Sequence, residues 1–399
     1  MSAPFPTGPA PADLAAAVRR ARGPALIAGV VGCALCVLGA FLQPVQFFRS
    51  YLFACVFWAG IALGSLAVLM LRYLTGGAWG VPIRRPLEAA TRTMPLVILF
   101  FLPILAGLKD LYPWARPEEV AADPILRHKA LYLNTGFFVG RGVFYAAVWL
   151  LLAYFLNRWS QEEDRSGDPA VLRRLQLLSG AGVLTYGLTI TFWSIDWLMS
   201  LEPHWYSTMY GVLLMAGQAL SGLAFVTAVT IVLARFEPLS KILSPEHLHD
   251  LGKLLFAFIM FWAYVSFSQY LIIWAGNLPE EIPWYLERLH GGWGWFGVAL
   301  VLLHFALPFL LLLPVDANKN PRLLASVALF VVAMRAVDLF WLVRPVFSPG
   351  KLEVHWLDFA AFIALGGVWL WFFLWQLLRR PLLPRYDPDL AGAIEHAAH

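Results

Sequence analysis

Ten long apolar segments are the feature that most constrains how this chain can fold. A helix needs about 20 mainly apolar residues to cross a bilayer. Segments of this kind lie at residues 25–42, 50–71, 93–108, 134–156, 175–197, 206–234, 254–275, 292–314, 323–343 and 356–378. The chain is 60% hydrophobic and 14% charged, whereas a soluble domain is about half apolar and about a quarter charged. The sequence therefore predicts an all-α polytopic membrane protein with ten transmembrane helices.

The ten segments form a single transmembrane domain at residues 25–378, with short tails at residues 1–24 and 379–399. Lys and Arg residues concentrate on the side of the two tails, with 19 there and 8 in the opposite loops. Because Lys and Arg are enriched in cytoplasmic loops, we expect both termini in the cytoplasm. The opposite loops are then periplasmic.

The third segment is the weakest of the ten. It is short and contains Pro95 and Pro103, so we expect it to be kinked or only partly embedded.

Two stretches of four spans each, residues 50–197 and 206–343, are candidate repeat units. Corresponding spans carry a single ionisable residue, Arg141 in one unit and His304 in the other. Parallel repeats place binding sites at their cores or interface.

The segment 192–207 combines charged and aromatic residues between two apolar spans. Its ionisable residues are Asp196, Glu202 and His204. Charged groups at this depth are costly and mark a proton, ion or ligand route. The alternative is an interfacial loop whose aromatic side chains form a belt at the membrane surface.

Further ionisable residues lie inside the spans or close to their ends. They are Arg141, His304, Arg335, Asp338 and Asp358. Most lie toward the periplasmic side, which predicts a proton path or a quinone pocket open to that side. In the alternative, Arg335 and Asp338 pair with each other on one helix face, and His304 bonds a backbone carbonyl.

The periplasmic loops are acidic and aromatic, which suits the docking of an extrinsic partner. The candidate docking residues are Trp205, Tyr206, Asn277, Glu280, Glu281 and Trp284. The alternative is an ordinary solvated loop.

Several functional classes are excluded by the residue pattern. Only His304 lies deep in a span, whereas a membrane haem held by two His ligands needs a second one. No metal-ligand motif or phosphate-binding loop occurs. The basic residues are dispersed over loops, which argues against nucleic-acid binding. We therefore expect no metal site and no redox centre in this chain.

Three stretches together resemble one protein family. They are Ser194–Ser207 (SIDWLMSLEPHWYS), Phe267–Glu281 (FSQYLIIWAGNLPEE) and Pro308–Asn320, which includes Asp316 and Lys319. They resemble the F subunit (ActF) of bacterial alternative complex III, a quinol:cytochrome c or quinol:oxidase oxidoreductase. The resemblance covers most of the chain. The matching ionisable and polar positions are Asp196, Glu202, His204, Gln269, Tyr270 and Asn277.

The resemblance implies an NrfD/PsrC-like membrane subunit with two four-helix bundles plus flanking helices, located in the bacterial inner membrane. It implies an NrfD-like subunit, an iron–sulfur subunit and c-type cytochrome subunits as partners, in contact with lipid. The c-type haem and the iron–sulfur clusters would belong to those partners. The quinone would be menaquinone or ubiquinone, and a sister subunit is the better candidate for quinol oxidation itself.

Three functions remain open from the sequence. The first is a membrane subunit that supports quinol or quinone interaction and proton conduction in a respiratory electron-transfer complex. The second is a purely structural scaffold for extrinsic redox subunits. The third is a stand-alone secondary transporter, which the ten spans permit although no substrate motif is present.

Overall fold

The computed structural model describes residues 11–398 of the chain, with side chains through residue 394. The outer parts of the two predicted tails lie outside these described residues. Within them the protein is all-helical, and ten helices are long and apolar enough to cross a membrane. The prediction of a polytopic all-α membrane protein is confirmed.

The ten spanning helices are numbered α1 to α10 in chain order. They are α1 Ala12–Leu42, α2 Pro44–Thr75, α3 with two segments Val81–Thr91 and Met94–Ala106, α4 Thr135–Ser166, α5 Pro169–Trp197, α6 Tyr210–Leu233, α7 Pro245–Gly276, α8 Trp293–Leu312, α9 Pro321–Val343 and α10 Trp356–Leu377.

Short helices fill several of the loops. They are Leu108–Leu111, Pro117–Ala122, Pro124–Lys129, Pro283–Leu289, Val315–Lys319 and Leu390–Ala398.

Three spans begin with the same local chemistry. The side chains of Asp168, Ser244 and Asn320 cap α5, α7 and α9 by accepting hydrogen bonds from the first free N–H groups. Each is followed by a proline, which has no N–H to leave unsatisfied at the first helical position. These caps fix where the helices begin.

The helices pack as two four-helix bundles with a flanking pair. Helices α2 to α5 form the first bundle and α6 to α9 form the second, while α1 packs along α10 and this pair lies against α2. The predicted bundle arrangement is present in the structure. The internal duplication of the two halves stays a prediction.

The two bundles meet at a close crossing of α2 and α6. A Cβ atom added to Gly64 would lie 1.7 Å from the carbonyl oxygen of Gln218, and one added to Gly222 would lie 2.5 Å from the Gly64 backbone. Small residues at such a crossing let two helix backbones come into direct contact. The α2–α6 crossing is therefore a direct backbone contact between the two bundles.

Two predicted boundaries differ from the helices of the structure. The third span is longer than predicted: it begins at Val81, the predicted kink occurs as a break at Arg92–Thr93, and the helix then continues to Ala106. Its first segment carries charges that lowered its apolar character in the sequence. The residues at 12–24, predicted as a tail, continue α1 without interruption.

Because the number of spans is even, both ends of the spanning region lie on one face. We call it the terminal face, and the other the opposite face. The opposite face carries the loops 107–134, 198–209, 277–292 and 344–355.

Candidate functional site

A cavity of about 800 Å³ lies in the second bundle, between α7, α8, α9 and the short helix Pro283–Leu289. Its walls are mainly aromatic and aliphatic, with Trp284, Tyr285 and Trp341 at the end near the opposite face. Binding cavities for small molecules span about 300–1,000 Å³ and combine apolar walls with a few polar groups. This cavity has both properties.

The cavity opens sideways between α7 and α8. Tyr264 and Phe267 on α7 and Val301 on α8 line it and are 67%, 60% and 61% exposed on the outer surface of the bundle. In a helical membrane protein this surface faces the hydrocarbon of the bilayer. A lipid-soluble molecule can therefore enter without passing through water.

Asp338 is the charged group of the cavity wall. Its Oδ2 atom accepts hydrogen bonds from Trp262 Nε1 at 3.1 Å and from the Arg335 guanidinium, and the side chain is almost completely buried. Neither bond uses Oδ1. The predicted Arg335–Asp338 pair is confirmed, and it leaves one carboxylate oxygen without a hydrogen bond from the described residues.

A glycine makes room for the Arg335 side chain. A Cβ atom at Gly217 on α6 would lie 2.1 Å from Arg335 Cζ. The guanidinium therefore lies directly over the α6 backbone, and its position at Asp338 depends on this glycine.

His304 lies beside the pair, in a stretch of π-helix at Leu300–Ala306 inside α8. Its ring packs edge-on against Trp262, with 4.2 Å between ring centroids. The side chain is fully buried, and neither ring nitrogen has a hydrogen-bond partner among the described residues. The predicted bond to a backbone carbonyl is therefore wrong. Single π-helical turns are frequent at functional sites.

The predicted turn 192–207 contributes the cover of this cavity. Trp205 stacks on Trp284, with 4.7 Å between centroids and 13° between ring planes. Arg288 lies 3.7 Å from the Trp284 ring centroid and donates to Glu202 Oε2 at 2.9 Å. We call these four residues the aromatic cap. Glu202 therefore holds Arg288 in the cap and does not itself line the cavity.

The first bundle holds a separate polar cluster. Arg141 donates to both carboxylate oxygens of Asp196 at 2.8 Å, and the Tyr145 hydroxyl donates to Oδ2 at 2.8 Å. The Tyr132 ring lies 3.8 Å from the Arg141 Cζ atom. Asp196 lies in α5 rather than in the predicted turn, and it is fully buried with its charge paired.

The remaining predicted residues lie apart from both groups. Asp358 accepts from Ser50 Oγ at 2.6 Å and from the His355 N–H at 2.8 Å, so it caps α10. His204 is exposed, with Nε2 at 2.6 Å from Asp123 Oδ2. Within residues 11–398, no direct hydrogen bond or ion pair joins these groups to Asp338. The continuous proton path stays a prediction.

The predicted docking residues divide by exposure. Trp205 and Trp284 are buried in the aromatic cap, so the structure does not present them to a partner. Tyr206, Asn277 and Glu280 are exposed on the opposite face, whereas Glu281 is half-buried. Asn277 has a φ of 47°, which is the left-handed conformation common at the residue that follows a helix C-terminus, here that of α7.

A buried arginine network at the terminal face was not predicted from the sequence. Its members are Arg72, Arg84, Arg85, Arg92 and Arg380, paired with Glu88, Glu163, Asp164, Asp387 and Asp389. The Arg84-Arg85-x-x-Glu88 pattern is the sequence feature that could have indicated this network. Taken alone, it is also typical of a charged loop next to an apolar span.

Asp387 ties the C-terminal segment into this network. It accepts from Arg84 Nη1 at 2.6 Å and from Arg72 Nη2 at 2.6 Å. Burial alone would raise the pKa of the Asp387 carboxyl, but Arg84 and Arg72 outweigh burial and hold that pKa below its usual value. The network is therefore a structural connection between α2, α3, α4 and residues 380–389.

The fold of the described residues is that of an integral membrane protein with ten spanning helices and a laterally open, aromatic cavity. No protein-family model matches the chain, and no curated protein matches it in sequence. In the described residues, no group of three or more His, Cys, Asp and Glu side chains could hold a metal ion.

Proposed function

We propose that this protein is an integral membrane subunit of a respiratory quinol-oxidising complex and that its cavity receives quinol or quinone. The observation that carries the proposal is the cavity of about 800 Å³, which opens to the hydrocarbon and contains one carboxylate. The motifs at residues 194–207 and 267–281, which resemble the F subunit of alternative complex III, supply part of the cap and part of the wall of this cavity.

The residues present fit a quinone. Trp284, Tyr285 and Trp341 offer aromatic faces for a planar ring, and the opening beside Tyr264 and Val301 offers an exit for an isoprenoid tail. When bound, the quinol/quinone couple supplies electrons and protons to the complex. This chain would bind and orient the ring, exclude water through the aromatic cap and hold charge at Asp338.

The electron-carrying groups would reside on partner subunits, as c-type haem and iron–sulfur clusters. In this proposal the opposite face is periplasmic and docks those partners through exposed residues such as Tyr206 and Glu280. Proton conduction by the buried groups near Asp338 belongs to the same proposal.

A purely structural scaffold is the second candidate, and one observation favours it. The intramembrane charges occur as ion pairs, Arg141 with Asp196 and Arg335 with Asp338. Paired charges of this kind need no ligand. The cavity and the unpartnered His304 nitrogens favour the first candidate, because neither is needed by a scaffold.

The test is a tagged purification from native membranes in mild detergent, followed by a visible spectrum, subunit identification and quinone extraction. A c-haem band, co-purifying membrane partners and bound quinone are the expected result. A colourless protein without partners or quinone would refute the proposal, and substrate uptake by vesicles containing only this protein would favour a transporter.

A matched pair of variants tests the cavity directly. Gly297 lines the cavity, and the nearest atom to an added Cβ is 3.9 Å away, so Gly297→Phe should fill the space. Gly140→Phe is the control, because Gly140 is exposed on α4 with nothing within 4 Å. Quinone should be lost from the first variant and retained in the second.

A further inference from the structure

Gln269 supplies the second unsatisfied polar group of the cavity. Its side chain lines the cavity and is 1% exposed, and its Nε2 atom has no hydrogen-bond partner. Its Oε1 atom accepts from Ser207 Oγ at 3.3 Å. The Tyr285 hydroxyl lies near Gln269 but does not meet hydrogen-bond geometry with Nε2.

An orphan amide N–H in a buried position requires a partner. Buried polar side chains in folded proteins are nearly always hydrogen-bonded, and an unsatisfied group costs free energy. The donor at Gln269 therefore points to an acceptor oxygen on a bound molecule. Asp338 offers the reverse chemistry, since its Oδ1 atom can only accept while the carboxylate is paired with Arg335.

The two groups line the same cavity. Trp262, which donates to Asp338, and Gln269 lie seven residues apart on α7, or about 10 Å along the helix. Seven residues also return to the same helix face, so both side chains face the cavity. An aromatic ring with an oxygen at each end, plus a hydrogen bond at each oxygen, is comparable in length to this helical rise.

We propose that the cavity selects the reduced form of a ring that carries oxygen atoms at opposite ends. Gln269 Nε2 donates to the oxygen near the opposite face, and Asp338 Oδ1 accepts from the hydroxyl at the other end. A quinol satisfies both groups. A quinone places a carbonyl oxygen against a carboxylate, where both atoms are acceptors. This inference rests on the proposed function and adds which redox form is bound and by which atoms.

Binding of both redox forms to the purified protein, in its native complex, tests the inference. The probes are a short-chain 1,4-benzoquinone and a short-chain 1,4-naphthoquinone, each oxidised and reduced, titrated without oxygen and followed by calorimetry. Wild type should bind the quinols at least tenfold more tightly than the quinones, because a hydrogen bond to a charged acceptor is present only in the reduced form.

Variants of both binding groups test the assignment, and those of Gln269 leave the Arg335–Asp338 pair in place. Gln269→Leu removes the donor and should weaken the binding of both redox forms by about fivefold. Gln269→Glu replaces the donor by an acceptor and should increase the preference for quinol. Asp338→Asn can donate to a carbonyl and should reverse the preference, provided that thermal unfolding shows a folded protein.

The outcomes separate the two proposals. If wild type binds neither form of either probe, the proposed function fails together with this inference. If wild type binds both forms within twofold of each other, or if both Gln269 variants bind like wild type, only the inference fails. If the Gln269 variants bind like wild type, water and not the ligand is the hydrogen-bond partner of Gln269 Nε2.

Discussion

The ring of Trp205 lies flat on the ring of Trp284, with 4.7 Å between centroids and 13° between planes. Trp205 follows α5 in the chain, whereas Trp284 belongs to the short helix between α7 and α8. The contact therefore joins the loop between the bundles to the cavity of the second bundle. Trp205 Nε1 also donates to the Glu281 carbonyl oxygen at 3.2 Å, which holds the indole in place.

Removal of the Trp205 side chain should destabilise the protein and open the cavity to water. We expect Trp205→Ala to lower the free energy of unfolding by about 3–5 kcal/mol, as for other buried Trp truncations. Denaturation by SDS titration, monitored by circular dichroism, measures the loss. Trp295→Ala is the control, since Trp295 is 78% exposed toward the lipid. Equal effects of the two variants would contradict the role of the stack.

Gly217→Ala should displace Arg335 from Asp338. The added methyl group would lie 2.1 Å from Arg335 Cζ, so either the guanidinium or α6 must move. Overpacking of this kind costs about 1–3 kcal/mol, measurable as a lower unfolding midpoint. Gly60→Ala on α2 is the matched control, because its nearest neighbour would be a Gln218 side-chain atom at an ordinary 3.6 Å. A Gly217→Ala protein as stable as wild type would rule out this constraint.

The Arg141–Asp196 pair should be strongly coupled. Asp196→Leu leaves a largely buried guanidinium without its partner, and we expect a loss of about 3–5 kcal/mol. Arg141→Met with Asp196→Leu removes both charges and should recover most of this loss, because apolar replacement of a whole buried pair is often neutral. A double-mutant cycle of unfolding free energies measures the coupling. Additive effects would show that the pair contributes little.

The arginine network should make stability depend on acid pH. The depressed pKa of Asp387 stabilises the folded state above the unfolded-state value of about 3.9, and this contribution is lost as the pH falls through the lower folded-state pKa. We expect Asp387→Asn to lower the unfolding free energy by about 3 kcal/mol at pH 7 and to lose less on acidification than wild type.

Unfolding curves between pH 3 and pH 8 measure this pH dependence. Glu280→Gln is the control, because Glu280 is exposed and has no ion pair in the described residues. If the Asp387→Asn and wild-type curves run parallel over this range, the carboxylate does not contribute as proposed.

The helices were predictable because a spanning segment is a local property of the chain. About 20 consecutive apolar residues identify a span whatever the rest of the protein does, and all ten predicted segments lie largely within observed helices. The part that was missed is the first segment of α3, where Arg84, Arg85 and Glu88 make the sequence polar although the segment is buried in the fold. Pairing with distant charges overrides the local signal there.

The site was less predictable because its parts come from distant segments. The Arg335–Asp338 pair could be predicted from a spacing of three on one helix, but the partner of Arg141 is 55 residues away. Most cavity-lining side chains are apolar residues typical of any span, so their convergence is visible only in the fold. The hydrogen bond from Trp262 to Asp338 and the unpartnered amide nitrogen of Gln269 likewise depend on tertiary structure.

The arginine network also has a consequence for biosynthesis. Arg84 enters the membrane region early in translation, but its partner Asp387 follows about 300 residues later in the chain. At about 5–20 residues per second, the ribosome needs on the order of 15–60 s to reach it. During that interval the nascent first bundle must retain Arg84 with only its nearer partners, Glu88 and then Glu163. Completion of the arginine network therefore waits for residues 380–389 to emerge from the ribosome.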